Sequence, residues 1–372
     1  LDVPQTIHVV TREQLDDQAQ YSLGEVLRYV PGTTVGQGEG NRDQITLRGQ
    51  NTTADFFLDG VRDDVQYYRG LYNVERVEVL KGPYALIFGR GGGGGIINRV
   101  QKTPVADESF GAARASITSF GGWDLSADLN APLGDKAAVR INATYEKMES
   151  DRRFVDGERY AWNPYLAVDL SEDWKLGLSY EYANDDRVPD RGVPSIATSA
   201  GQPNTPVRGY DRLFFGVPGV NRTTLEAHIA KLRLDGQLAD NLKFTSTLLY
   251  GDYDKLYVNV YANSAVSAAN TVTLDAYSDP TKRENLIGQA NLIWDIETGA
   301  LDHKLLFGVE YGDQKTRNMR FNRVFSPGTT FNLNNPVYPA VTFTTPSRNT
   351  VSDVEFFSAY MQDQIGIGDH FD

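Results

Sequence analysis

The sequence predicts a small α+β domain wedged inside a transmembrane antiparallel β-barrel. Three observations carry this. Up to Pro104, capped helical stretches alternate with short apolar runs and end in a glycine-rich crossover. From Phe110 onward, apolar and polar residues alternate with period two. The connections between those alternating runs are short, then long, then short again.

Leu1 to Val10 reads as an entry strand, with Ile7, Val9 and Val10 apolar. Thr11-Arg12-Glu13-Gln14 has the pattern of a helix start, and Ser22-Leu23-Gly24-Glu25 repeats it. Behind the second start, Leu23, Val26, Leu27 and Val30 fall on one helical face, which predicts a buried stripe. Pro31-Gly32 stops it. Short strands are expected near Thr34, Ile45-Thr46-Leu47 and Phe56-Phe57-Leu58. The stretch Val74 to Val100 organises the domain. A strand with Val77 and Val79 on one face and Glu78 on the other turns at Lys81-Gly82-Pro83 and passes an apolar piece, Tyr84 to Phe88. It then crosses Gly89-Arg90 and the five glycines Gly91 to Gly95, and leaves as the strand Ile96 to Val100. A glycine run fits where backbone passes close to backbone or takes positive φ.

In the second part, Ala137, Val139, Ile141, Ala143 and Tyr145 alternate with Lys136, Arg140, Asn142, Thr144 and Glu146. Trp174, Leu176, Leu178, Tyr180 and Tyr182 make a second apolar face, Leu286, Ala290, Leu292, Trp294 and Ile296 a third, and Leu305, Phe307, Val309 and Tyr311 a fourth. Such strands also suit a soluble sandwich. Two features favour the membrane. Several strands are on the order of 10 residues or more, enough to span a bilayer when tilted. The short connections at Pro132 to Asp135, Ser171 to Asp173, Ala239 to Asn241 and Glu297 to Asp302 alternate with long polar ones at Asp185 to Asn221, Ala262 to Thr281 and Asn322 to Ser352. The apolar faces then meet lipid, and Arg140, Glu146 and Glu181 face the lumen.

Composition narrows the function. A net charge of −13 argues against nucleic acid as a partner. With no cysteine there is no disulfide framework or thiolate chemistry. No run of about 18 apolar residues occurs, which excludes a transmembrane helix. Gly89 to Gly94 matches G-x-G-x-x-G, but a strand pattern follows it where a dinucleotide site needs a helix. His8, His228, His303 and His370 show no metal-ligand spacing. Asp59, Asp63 and Asp64 lack the Glu of a calcium loop and read as a solvated turn.

VERVEVLKGP followed by GRGGGGGIINRV resembles the plug domain of a TonB-dependent outer-membrane siderophore receptor. PQTIHVVT, ITLRGQ and FFLDGVRDD extend the resemblance upstream, in the family's order. The resemblance implies an α+β plug domain, residues 1–108, inside a barrel begun by residues 109–372. A complete plugged barrel has about 22 strands, whereas roughly ten are readable here. The chain is therefore expected to be the N-terminal part of a longer protein, an expectation that the intact mass of the native protein tests.

The resemblance also implies a role without catalysis or bound cofactor. The transported ligand would be a ferric siderophore, of catecholate type. The partners would be the TonB energy-coupling protein on the periplasmic side and outer-membrane lipid around a monomer. Arg48-Gly49-Gln50 resembles the family's ligand-facing Arg-Gly loop, and Asp59-Gly60-Val61-Arg62 its Asp-Gly-x-Arg element. On this basis Arg48, Gln50, Tyr67, Tyr68, Arg69, Tyr72 and Tyr84 are the expected ligand contacts. Guanidinium groups and aromatic faces suit anionic, flat ligands. Each has an ordinary alternative as an ion pair or loop packing. Glu75, Glu78, Lys81 and Arg99 are expected to tie plug to wall. Tyr182, Arg187, Arg191, Tyr210 and Arg212 are expected around a closing loop. Haem, cobalamin or a glycan remain alternative ligands, and a passive porin the alternative class.

Overall fold

The computed structural model describes residues 6–82, 92–197, 202–299 and 301–367. The N-terminal domain runs β1 (Thr6–Thr11), α1 (Arg12–Asp17), α2 (Leu23–Leu27), β2 (Thr33–Val35), β3 (Ile45–Leu47), β4 (Gln50–Thr52), β5 (Phe56–Leu58), β6 (Val61–Arg62), β7 (Val74–Lys81) and β8 (Ile96–Gln101). One sheet has the order β1-β7-β8-β5-β6, and a second the order β2-β3-β4. Both helix starts form as expected. The Thr11 side chain caps α1, and Ser22 with Glu25 completes a capping box on α2. Leu23, Val26, Leu27 and Val30 are all buried, in one core with Ile45, Leu47, Phe56, Val77 and Val79.

Two hairpins turn in the same way. β3 and β4 are joined by Arg48-Gly49, and β5 and β6 by Asp59-Gly60. All four turn residues have positive φ, which is what a two-residue hairpin with the native strand twist requires. The glycine crossover behaves as its composition predicts. Gly95 has φ +135°, and a Cβ on Gly94 would overlap the Leu47 carbonyl. The turn residue Pro83, Tyr84 to Phe88, Gly89, Arg90 and Gly91 lie outside the described residues.

The second part is a wall of ten strands among the described residues. They are β9 (Phe110–Ile117), β10 (Trp123–Pro132), β11 (Ala137–Glu149), β12 (Asp156–Asp169) and β13 (Trp174–Arg187), then, beyond the short loop strands β14 (Ser195–Ile196) and β15 (Thr205–Pro206), β16 (Arg222–Ala239), β17 (Leu242–Ala262), β18 (Thr271–Thr298), β19 (Leu301–Ser326) and, after the short β20 (Thr330–Asn332), β21 (Ala340–Ile367). Neighbours in the wall pair antiparallel. None of the described helices is long and apolar enough to cross a membrane. The strands are long enough: β18 and β21 each have 28 residues, more than twice the ~11 that a bilayer needs.

That excess length corrects two expected loops. Much of 262–281 and 322–352 is strand, and only 263–270 and 327–339 connect. Where both faces of a strand meet water, apolar alternation fades although backbone pairing continues. In β21, residues 345–353 are exposed on both faces. The long connection 188–221 stands as expected.

The expected apolar faces are exposed on the outside of the wall. Leu178, Leu286, Trp294, Phe307, Val309 and Tyr311 are exposed outward. Inward, Arg140, Asn142 and Glu181 are buried. The inner face is not uniformly polar, however. Leu225, Ala227, Ile229, Leu249, Tyr253 and Ile287 form an apolar patch against Leu58, Val61, Val65 and Tyr67 of the N-terminal domain.

The crossover sets a sharp requirement. Gly94→Ala is expected to destabilise the full-length protein by about 1–3 kcal/mol in urea unfolding, because the new methyl meets backbone. Gly93→Ala, with open space around it, is expected to leave the midpoint unchanged.

Candidate functional site

The segment 63–72 folds around one carboxylate. Asp63 Oδ2 accepts from Arg69 Nε at 2.9 Å, Arg99 Nη2 at 2.8 Å and the Tyr67 hydroxyl at 2.8 Å. Arg69 also donates to the carbonyls of Asp63 and Val65, and its backbone N–H to Asp43 Oδ2 at 3.0 Å. Its guanidinium lies over the Phe56 ring at 4.0 Å. Arg69 and Arg99 are each 1% exposed. Burial, and then Asp63, push the Tyr67 phenol up, so it stays a hydrogen-bond donor. Burial also raises the Asp43 carboxyl, against the pull of Arg69.

A second set of groups ties the domain to the wall. Lys231 pairs with Asp59, and Arg283 Nη2 with Asp64 at 2.6 Å. Lys102 and Arg140 share Asp128, at 2.9 and 2.7 Å. The Tyr72 hydroxyl meets Glu181 Oε1 at 3.1 Å, and burial and Glu181 push its phenol well up. The three carboxylates of the Asp59–Asp64 turn thus serve four cations, Lys231, Arg69, Arg99 and Arg283, which corrects their reading as solvated. Among the described residues no acidic or histidine group has the geometry to hold a metal.

The third set forms a vestibule where the domain's tip meets the 188–221 connection. The tip is Gly36 to Asn41. Gln37 Nε2 donates to the Asp190 carbonyl at 2.7 Å, and Arg191 Nη2 to Glu39 Oε1 at 3.0 Å. A cavity of ≈ 570 Å³ opens beside them, lined by Gln37, Glu39, Gln44, Arg191, Phe215 and Tyr261 among others. That size suits a small-molecule ligand. Arg191 lies over Tyr261 at 4.0 Å, and Arg320 over Tyr277 at 4.1 Å. Tyr257 and Tyr277 meet edge to face at 5.6 Å. Arg187, held by Asp185, lies over Tyr68 at 4.7 Å. Burial pushes the Tyr68 phenol up to about 12, so it is neutral and donates to the Gln37 carbonyl.

The expected site residues therefore separate. Tyr67 and Arg69 are buried in the Asp63 cluster and Tyr72 points at the wall, so their polar groups are committed to the fold. In the structure these polar groups, expected to face a ligand, meet protein partners. Arg48 and Gln50 are exposed at the β3–β4 turn and do not line the vestibule cavity. Tyr68 stands at the vestibule, whereas Tyr84 lies outside the described residues. Glu78, Lys81 and Arg99 bond within the domain, to Arg76 and Asn98, to the Pro31 carbonyl, and to Asp63, rather than to the wall. Tyr182 is on β13, against Tyr160 and His228, not in a loop. Tyr210 and Arg212 bond to Asn334 and Asp151.

Sequence reasoning missed Glu39, Tyr257, Tyr261 and Tyr277. Two signals were available. Glycine at every second position, Gly36, Gly38 and Gly40, marks an exposed tip. Tyrosines at even spacing in one strand, Tyr253, Tyr257 and Tyr261, share a face.

Residues 1–96 match the family model of the TonB-dependent Receptor Plug Domain. Residues 161–372 match that of the TonB dependent receptor-like beta-barrel. The chain is 28% identical over 339 residues to a probable TonB-dependent siderophore receptor, PiuA, of Acinetobacter baumannii, covering 88% of this chain and 45% of that protein. It is 28% identical over 396 residues to the catecholate siderophore receptor Fiu of Escherichia coli K12, covering 100% of this chain and 52% of that protein. The crystal structure of PiuA superposes with a TM-score of 0.85 at 25% identity, over 98% of this chain and 56% of that one. The closed form of Fiu superposes at 0.84 and 25% identity, over 99% and 55%. The chain spans about half the length of the curated relatives it matches.

Removing the shared carboxylate is expected to be severe. Asp63→Ala strands two buried guanidinium groups, and a loss of roughly 3–5 kcal/mol is expected in thermal or urea unfolding. Asp16→Ala breaks the exposed pair with Arg12 and is expected to change stability by less than about 1 kcal/mol.

Proposed function

The chain belongs to the TonB-dependent receptors, and from that premise we propose that it serves an outer-membrane receptor for a ferric siderophore of catecholate type. The ligand is taken from outside and imported with energy coupled through TonB at the periplasmic rim. In this reading residues 1–108 are the plug and 109–372 part of the barrel wall, set as a monomer in outer-membrane lipid. No bond is made or broken by the protein.

The vestibule is the observation that supports this best. It places Arg191 and Tyr261, from two separate elements, in the lining of one cavity, with Arg187 over Tyr68 beside the Gln37 that also lines it, which suits an oxygen-rich, anionic, aromatic ligand. The relatives named as catecholate and siderophore receptors favour the same ligand class. Tyr68, Arg187 and Arg191 are the proposed contacts at the vestibule, with Arg48 and Gln50 as a second exposed patch on the plug. Tyr67, Arg69 and Tyr72 act indirectly, by holding Tyr68 in place.

Titration of the full-length protein with a ferric catecholate, a ferric hydroxamate and cobalamin, followed by tryptophan fluorescence, tests the reading. The catecholate is expected to bind tightest. Arg48→Ala and Tyr68→Ala are each expected to weaken it roughly tenfold, about 1.4 kcal/mol. If no ferric complex binds, and the protein instead gives a steady salt-dependent conductance in planar bilayers, a porin-like role replaces this one.

A further inference from the structure

Glu39 occupies an unusual position at the tip of the plug. Gly38, Glu39 and Gly40 have φ of 62°, 56° and 73°. For the two glycines this left-handed conformation is free, whereas for Glu39 it is uphill. Three contacts hold it there. One carboxylate oxygen accepts from Arg42 Nη1 at 2.7 Å, and the other from Arg191 Nη2 at 3.0 Å. The Glu39 carbonyl accepts from the Tyr257 hydroxyl at 2.8 Å. Arg42 belongs to the plug and Arg191 to the 188–221 connection, so a single carboxylate bridges the two. The tip is tight against that connection elsewhere too. A Cβ on Gly40 would lie 2.6 Å from the Asp190 carbonyl oxygen.

The bridge is open to exchange. Glu39 and Arg191 both line the vestibule cavity. Their side chains keep 29% and 26% of their exposure, so neither ion is fully desolvated. Pairs of this kind contribute little net stability. Asp190, the neighbouring carboxylate, is taken by Arg152 at 2.7 Å and does not compete for Arg191. A guanidinium makes the same charge-assisted bonds to any anionic oxygen of suitable geometry.

We propose that Glu39 is an exchangeable internal counterion, standing where an anionic oxygen of the ligand will bind. A ligand entering the cavity takes Arg191 from Glu39. The tip then loses its charged tie to the 188–221 connection, keeping there the Gln37–Asp190 hydrogen bond, and the left-handed turn at Glu39 is held by Arg42 and Tyr257 alone. Occupancy of the vestibule thereby loosens the plug's tip. This rests on the receptor reading above, with an anionic ferric complex as the ligand.

The experiment compares the full-length wild type with Glu39→Gln, using a ferric tris-catecholate complex as probe. Glutamine keeps the size of the side chain and removes its charge. The variant is expected to bind roughly threefold to tenfold tighter, because the ligand no longer displaces the Glu39 carboxylate from Arg191. In an Arg191→Ala background the gain is expected to vanish. A merely structural glutamate would give the opposite sign, since its loss would loosen the site. Glu39→Gly removes the charge at a φ that glycine adopts freely, and is expected to show the same gain if the glutamine variant does not fold. Wild-type binding with an equal or weaker Glu39→Gln overturns the counterion role and leaves the receptor reading intact. Absence of binding in wild type and variants alike overturns both.

Discussion

A β-strand that spans a membrane presents every second side chain to the lumen, and whatever is polar there must find a partner once it is enclosed. This constraint shapes both parts of the chain. The wall satisfies its own backbone through the antiparallel ladder, but Lys231, Arg283, Arg140 and Glu181 on its inner face do not all find partners within it. The plug supplies Asp59, Asp64, the Thr103 carbonyl and Tyr72. Where the inner face turns apolar, at Leu225, Ile229 and Ile287, the plug answers with Leu58, Val61 and Val65. The two parts are complementary surfaces, each leaving buried groups unpaired without the other.

The ion pairs differ in how far they are removed from water. At the Asp63 cluster the partners keep 0–4% of their side-chain exposure. At the seam, Arg283 and Asp64 keep 20% and 15%. At the tip, Arg191 and Glu39 keep 26% and 29%. The cost of stranding one partner rises with desolvation. The plug is therefore hardest to alter at its centre and easiest at its mouth.

The fold was legible because its signals are local. Capping residues, the buried stripe behind Ser22 and the two-residue turns at Arg48-Gly49 and Asp59-Gly60 depend only on neighbours in sequence. The wall strands were legible for a similar reason, since alternation reports two faces in different surroundings. Where both surroundings are water, as in 340–352, the pattern vanished and strand read as loop. The site was less legible, because exposure depends on what packs from a distance. Nothing local to Arg69 distinguishes a ligand-facing guanidinium from one folded under Phe56 and bonded to Asp63. Likewise Glu78 and Arg99 carry the charges of tie residues, yet their partners lie within the plug.

The vestibule is rich in arginine but nearly balanced in charge. Arg187 is held by Asp185, Arg191 by Glu39, Arg320 by Asp279 and Arg323 by Asp275. Unpaired arginines at an outer surface would attract any phosphate or carboxylate that reached them. Paired ones set a threshold, because a monovalent anion gains at one guanidinium only what it removes from the resident carboxylate. A ligand presenting several anionic oxygens gains at several places at once. Discrimination then comes from competition within the protein as much as from attraction to the ligand. On the proposed reading, the carboxylates of the vestibule are in this sense part of its specificity.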